Sequence, residues 1–149
     1  MYIVKAQSGM KRTSSIKEAL QVNRGKYIAV IVNQQIQTIW SIKQAQTISW
    51  ILDALLSSVF GKNITSIILY GSAAKNTANS DSDIDLFVVF RGSIPSAWIP
   101  FTGQYSCCVA TGVEVDLHAY QDDSWKDRNE TYYRAIKKDG ILLWTDIPI

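Results

Sequence analysis

The 149-residue chain has a single histidine, His118, and two cysteines, Cys107 and Cys108, that are neighbours in sequence. Adjacent cysteines seldom bridge each other, and no second pair gives zinc-ligand spacing, so neither a disulfide framework nor a structural zinc site is expected. No apolar run approaches the roughly 20 residues of a membrane span. No continuous apolar stretch follows the first lysine, so no signal peptide is expected either. A reduced, cytoplasmic setting is the default that remains, with no membrane partner. There is no internal repeat, no low-complexity tract and no convincing linker.

What is present is enough for one ordinary domain with a real core, since 47% of the residues are hydrophobic. The net charge of +2 names no partner by itself. Its distribution is uneven. Lys5, Lys11, Arg12, Lys17, Arg24 and Lys26 face only Glu18 in the first 26 residues, and acids outnumber bases in the rest. A basic leading segment can touch nucleic acid or an acidic partner, and scattered charge of this kind is more often a solvated surface.

Ser15 and Glu18 have capping-box spacing at the head of a short helix over 13–22. Tyr27 to Val32 reads as a buried strand, turned by Asn33-Gln34 into a second strand ending near Trp40. Ile42, Ala45, Ile48, Ile51, Leu52, Leu55, Leu56 and Val59 recur at helical spacing, which predicts a helix from Ser41 to Phe60 with Gly61 as a left-handed cap. Ile64 to Tyr70 is a central strand broken by Gly71-Ser72, and Asp83 to Phe90 is a second. Residues 91–104, with Gly92, Pro95, Pro100 and Gly103, read as mostly loop. Tyr105 to Ala110 and Val113 to Tyr120 are expected to pair as a hairpin through Thr111-Gly112. Ser124 is expected to cap a helix running to Lys138 and ended by Gly140, with Ile141 to Trp144 as a short strand or docking tail.

The chemistry gathers in the middle of the chain. Asp83 and Asp85 stand two apart at the start of a strand, so both carboxylates leave on one side. Like charges that close repel, and a hard divalent cation with oxygen ligands offsets the repulsion. An acidic turn built from Asp81 and Asp83 is the plainer alternative. The upstream segment shifts the balance. Gly71 lets backbone approach a ligand, and free N–H groups after a strand, with the Ser72 hydroxyl, make a phosphate-binding concavity. In the run 113–118, Val113, Val115 and Leu117 face one way and Glu114, Asp116 and His118 the other. A carboxylate in mid-strand needs a partner or a task, and Asp116 can join the same site. His118 and Glu114 share its face, but a lone histidine is more often structural. The scattered tryptophans read as packing, and the two cysteines as ordinary strand residues.

The run Leu69-Tyr70-Gly71-Ser72 followed by Asp81-Ser82-Asp83-Ile84-Asp85-Leu86 resembles the signature of the DNA polymerase beta superfamily of nucleotidyltransferases, and in particular its minimal nucleotidyltransferase branch. That signature is Gly-Ser, ten residues, Asp-x-Asp and an acid in a later strand. The tail from Tyr132 to Trp144 is similar to the closing helix and strand of that branch. The likeness covers about 41–146, so a nucleotidyltransferase domain over 41–149 and an amino-terminal extension of unassigned role over 1–40 are expected. It implies an α/β (α+β) fold with a small mixed sheet packed by helices. It implies transfer of AMP from ATP to a hydroxyl, with Asp83 and Asp85 bridging two magnesium (or manganese) ions and Asp116 joining the one that activates the acceptor. Gly71 and Ser72 would hold the outer phosphates. Ala73 stands where members often have arginine and Asn76 where they often have glycine, which leaves Lys75 as the cation of this turn. Two other roles go with the likeness. One is an antitoxin-type module that neutralises a helical HEPN-type RNase toxin, with or without catalysis. The other is nucleotidylation of a small molecule such as an aminoglycoside, for which an acceptor-binding helical domain is usual and this chain is short.

Overall fold

The computed structural model describes residues 1–75 and 82–146. Strands β1 (Tyr2–Ala6), β2 (Gly9–Thr13), β3 (Tyr27–Val32) and β4 (Gln35–Ser41) form one sheet in the order β2-β1-β3-β4, wholly antiparallel. Helix α1 (Ile16–Val22) lies between β2 and β3 in the chain. Helix α2 (Ile42–Ser57) leads to β5 (Ile64–Tyr70) and β6 (Ile84–Phe90), then α3 (Trp98–Gln104), β7 (Val115–Tyr120), α4 (Thr131–Asp139) and β8 (Ile141–Thr145). The second sheet runs β7-β6-β5-β8 and is mixed: β5 is antiparallel to β6 and β8, while β6 and β7 are parallel.

Alternation along the second sheet separates two cores. Ile67, Leu69, Ile84, Leu86, Val88, Val115 and Leu117 point to one face, where α2 delivers Ala45, Ile48, Ile51 and Leu55. Tyr2, Val4, Ile28, Val30 and Trp40 of the first sheet belong to that same cluster. The boundary expected at residue 40 therefore falls inside β4, and residues on both sides of it share one core. On the opposite face Ile68, Phe87 and Val89 pack with Trp125 and Ile136.

Several local expectations are corrected. β1 and β2 left no trace in the hydrophobic pattern, because β2 is exposed at every position but Thr13. The Asn33-Gln34 turn is as read, with both residues at positive φ (52° and 66°), the primed geometry that matches strand twist. Helix α2 ends at Ser57, where Ser58 caps it, rather than at Phe60. Gly61 is not at positive φ and so is no left-handed cap; it opens a 3₁₀ turn, and a Cβ there would collide with the Leu56 carbonyl. The loop expected over 91–104 contains α3. Pro100 sits in its first turn, where backbone N–H groups have no intrahelical acceptor to lose, and Trp98 and Phe101 pack around Phe60 (5.7 and 5.1 Å between centroids). The hairpin through Thr111-Gly112 reduces to one bridge, Cys107 with Glu114, because β7 takes β6 as its partner. Ser124 does not cap a long helix. The Asp122 side chain accepts from the Ser124 N–H (2.8 Å) and starts a tight 3₁₀ turn over Asp123–Asp127, and α4 begins only at Thr131.

Trp40→Ala should cost about 3–5 kcal/mol, the usual penalty for emptying a buried aromatic position. Urea unfolding followed by fluorescence and by circular dichroism should give one coincident transition for wild type. Two separate transitions would show that the first sheet folds apart from the second.

Candidate active site

The site is built where β5 ends beside β6. After Tyr70 the chain enters Gly71 at φ 77° and ψ −160°, a conformation that side chains other than glycine's strain to adopt. A Cβ on Gly71 would also collide with the Asp85 carboxylate. Gly71 is thus required twice, once by its backbone and once by the acid beside it. Ser72 to Ala74 then wind as a 3₁₀ turn, closed by Ala74 N–H donating to the Gly71 carbonyl and Lys75 N–H to that of Ser72 (3.1 Å each).

Asp85 pairs in register with Tyr70 on β5 and with Asp116 on β7. Adjacent strands lie about 4.8 Å apart, so Asp85 and Asp116 are immediate neighbours on one face. Asp83 stands exposed just before β6. The Asp85 carboxyl is pushed up to about 6, first by its own burial, then by the charges of Asp116 and Asp83, with His118 opposing.

Residues 48–140, more than half of the chain, match the nucleotidyltransferase domain. The chain belongs to that family. Its fold is of the polymerase-beta type. Among solved structures it is similar to a nucleotidyltransferase of Sulfolobus solfataricus (23% identity, 68% of this chain and 79% of that one, TM-score 0.48). It is also similar to a complex of tri-AMPylated Shewanella oneidensis HEPN toxin with MNT antitoxin (18%, 69% and 72%, TM-score 0.47) and to a toxin–antitoxin structure with AMP-PNP (20%, 67% and 72%, TM-score 0.44). No curated protein matches the sequence. Among the described residues no helix is long and apolar enough to cross a membrane.

The nucleotidyltransferase domain brings Gly71, Ser72, Asp83, Asp85 and Asp116 to one corner of its mixed sheet. A cleft of ≈ 410 Å³ opens on the outer side of that corner, lined by Asp83, Glu114, Val115 and Asp116 with Ser106 and Cys107, and not by Gly71, Ser72 or Asp85. Lys75 points elsewhere: its Nζ lies 3.6 Å from an Asp139 carboxylate oxygen at the end of α4. Asn76 and Asp81 lie outside the described residues. Asp116 Oδ2 lies 3.0 Å from His118 Nε2, so the lone histidine is a partner of the third acid.

Two tyrosines not assigned to the site from sequence adjoin the acids. The Tyr132 hydroxyl donates to that of Tyr70 (3.0 Å), and both rings stand edge-on to His118. Burial, foremost, holds both phenols above their ordinary range, so they add no negative charge at neutral pH. Tyr70 stood inside the signature run Leu69-Tyr70-Gly71-Ser72 and Tyr132 at the head of the closing tail, and nothing in the sequence placed the two together.

Among the described residues, no three His, Cys, Asp or Glu side chains are gathered closely enough to enclose a metal ion. The donor set nevertheless fits a hard divalent cation. It is oxygen-only, Asp116 and Asp83 crowd negative charge around Asp85, and Gly71 lacks the Cβ that would displace the Asp85 carboxylate.

Gly71→Ala should lower stability by about 1–3 kcal/mol, the ordinary cost of a strained backbone position, and should abolish ATP binding in a protein that still melts cooperatively. Unchanged ATP binding would remove Gly71 from the site.

The raised Asp85 carboxyl gives a pH prediction. Between its unfolded value near 3.8 and its folded value of about 6 the folded state binds more protons, so this group's contribution to stability falls as pH rises through that window. Metal-free Asp85→Asn should melt like wild type near pH 4 and above it beyond pH 6. Millimolar magnesium at pH 7 should reverse the order by stabilising wild type alone. If the variant melts below wild type at every pH, with or without magnesium, Asp85 is a structural acid.

Proposed function

We propose that this nucleotidyltransferase moves AMP from ATP to a hydroxyl acceptor, in the manner of the minimal nucleotidyltransferase branch. The observation that carries the reading is the convergence of the Gly71-Ser72 turn with Asp83, Asp85 and Asp116 at one sheet corner. The acceptor oxygen forms a bond to the α-phosphorus, the bond from that phosphorus to the bridging oxygen breaks, and pyrophosphate leaves with the electron pair.

Backbone N–H groups and the hydroxyl of the Gly71-Ser72 turn would face the outer phosphates. Asp83 and Asp85 are the carboxylates that would hold magnesium or manganese, and Asp116 would stand nearest the incoming hydroxyl. A divalent cation held there supplies charge neutralisation for the phosphates and lowers the proton affinity of the acceptor hydroxyl. Asp85 must be ionised to serve, and at pH 7 it lies above its value of about 6. The chain's own contribution is then position and field, the terms that dominate phosphoryl chemistry.

We place the acceptor on a protein, of the helical HEPN toxin type that the sequence resemblance implies. The Asp116 side chain is 61% exposed beside an open cleft, so a hydroxyl on a folded partner can reach it. Neutralisation by contact without transfer is the second reading. It is favoured by one observation: Ala73 carries no charge and Lys75 is paired with Asp139, so neither offers the turn a free cation.

Purified protein with magnesium and ATP labelled at the α-phosphate should label one component of a cell lysate, and γ-labelled ATP should label none. Asp83→Asn, Asp85→Asn and Asp116→Asn should each reduce labelling by about 100-fold or more, as removal of a charge-stabilising group does in comparable sites. A protein that captures a helical partner yet transfers no label would establish the contact reading instead.

A further inference from the structure

We infer that β4, outside the matched residues, is a positioning element for the phosphate turn, acting through Thr38, Trp40 and Gln37. The inference rests on the proposed role of Gly71-Ser72 in holding a triphosphate. The Ala73 carbonyl, in the middle of that turn, accepts two hydrogen bonds from β4: Thr38 Oγ1 at 2.9 Å and Trp40 Nε1 at 3.0 Å. These use both lone pairs of the carbonyl. Donors and acceptor are fully buried, where a hydrogen bond is strong and its loss costly. The next carbonyl, of Ala74, accepts from Gln37 Nε2 (3.1 Å), which also donates to the Asp139 carbonyl at the end of α4 (2.7 Å).

The geometry follows from strand alternation and one irregularity: between the Val30–Thr38 and Ile31–Ile36 pairs Gln37 faces no residue of β3, a bulge that lets neighbouring side chains reach the same turn. Thr38 and Trp40 are two residues apart and project from the same face of β4. Register with β3 pins them, Thr38 opposite Val30 and Trp40 opposite Ile28, and Trp40 packs on Tyr2 of β1 (5.7 Å between centroids). Three side chains of one strand thus fix two successive peptide units of the turn from behind, on a sheet anchored in the main core. Ala73 and Ala74 are both fully buried, so a longer side chain at either position would have to displace its neighbours.

A turn held in its binding conformation loses less freedom when phosphate arrives, and the saving appears as affinity for nucleotide. The effect belongs to the triphosphate and not to the carboxylates, which sit on β7, on β6 and just before it. Thr38→Val removes the hydroxyl and keeps the shape, Thr38→Ser keeps the hydroxyl, and Gln37→Met removes the amide donor at a half-buried position.

The test is calorimetric titration of the full-length wild type and these three variants with ATP in magnesium, and separately with manganese alone, beside amide hydrogen exchange over residues 71–75. Thr38→Val and Gln37→Met should each weaken ATP binding by about fivefold, the effect of one net hydrogen bond, and speed exchange in the turn. Manganese affinity should be unchanged, and Thr38→Ser should bind ATP within about twofold of wild type. Variants that bind ATP as wild type does would overturn the inference, as would equal weakening in Thr38→Val and Thr38→Ser, which would mark packing rather than the donor. A wild type that binds no ATP would overturn the proposed function itself and this inference with it. A wild type that binds beside indifferent variants would overturn this inference alone.

Discussion

Everything at the site depends on the contact between the Asp85 carboxylate and the backbone of Gly71. It brings the end of one strand and the head of its antiparallel neighbour to a distance that only glycine permits. The turn after β5 is therefore seated against the acids of β6 and β7 rather than beside them. Moving either group outward by the width of a methyl would separate phosphate from carboxylate, and a triphosphate bridged by a cation needs both at once. A backbone conformation open only to glycine and the cost of a half-buried acid meet at the same corner, which is how functional sites differ from the rest of a fold.

Those costs are borne because the sheet beneath is over-determined. Ile84, Leu86 and Val88 alternate with Asp85, Phe87 and Val89, so the strand that carries the acid is anchored on both faces, in one core below and in an aromatic one above. A one-residue slip of β6 would bury Asp85 in the main core and expose its leucine neighbour, a change that no partner in that core could compensate. The register that serves packing is the register that serves chemistry. The repulsion among Asp83, Asp85 and Asp116 is felt chiefly at Asp85, the member most withdrawn from water, and it is there that a cation would gain most.

The legible part of the sequence was the part with strong local grammar. Gly71-Ser72, the Asp-x-Asp pair and the alternation around Asp116 each state a conformation as well as a chemistry, and the structure puts them together. The Asn33-Gln34 turn and the cap at Ser15, whose side chain accepts from the Glu18 N–H, have the same quality. The misread segments were those whose state is set by distant contacts. Pro100 reads as a breaker until its place in the first turn of α3 is known, and α3 exists because Trp98 and Phe101 find Phe60 and Tyr105. β2 shows no alternation because it has almost nothing buried to alternate with. β7 was assigned its sequence neighbour as partner, and a parallel partner in β6 satisfies the same backbone without leaving a signature in its residues.

The amino-terminal residues were illegible for a deeper reason. Thr38, Trp40 and Gln37 look like ordinary strand residues, and their importance lies in what faces them, two backbone carbonyls more than thirty residues away. A carbonyl has no identity in the sequence, so no motif can announce that it is being held. The only trace is indirect: two successive alanines after Gly71-Ser72, both at positions the fold buries completely. An alanine there reads at first as an absence of chemistry. In the folded chain the group that matters at residue 73 is its carbonyl, which Thr38 and Trp40 hold from β4. A turn of small residues is thus tied through its backbone to a sheet far away in sequence, and β4 is pinned in turn by its register with β3.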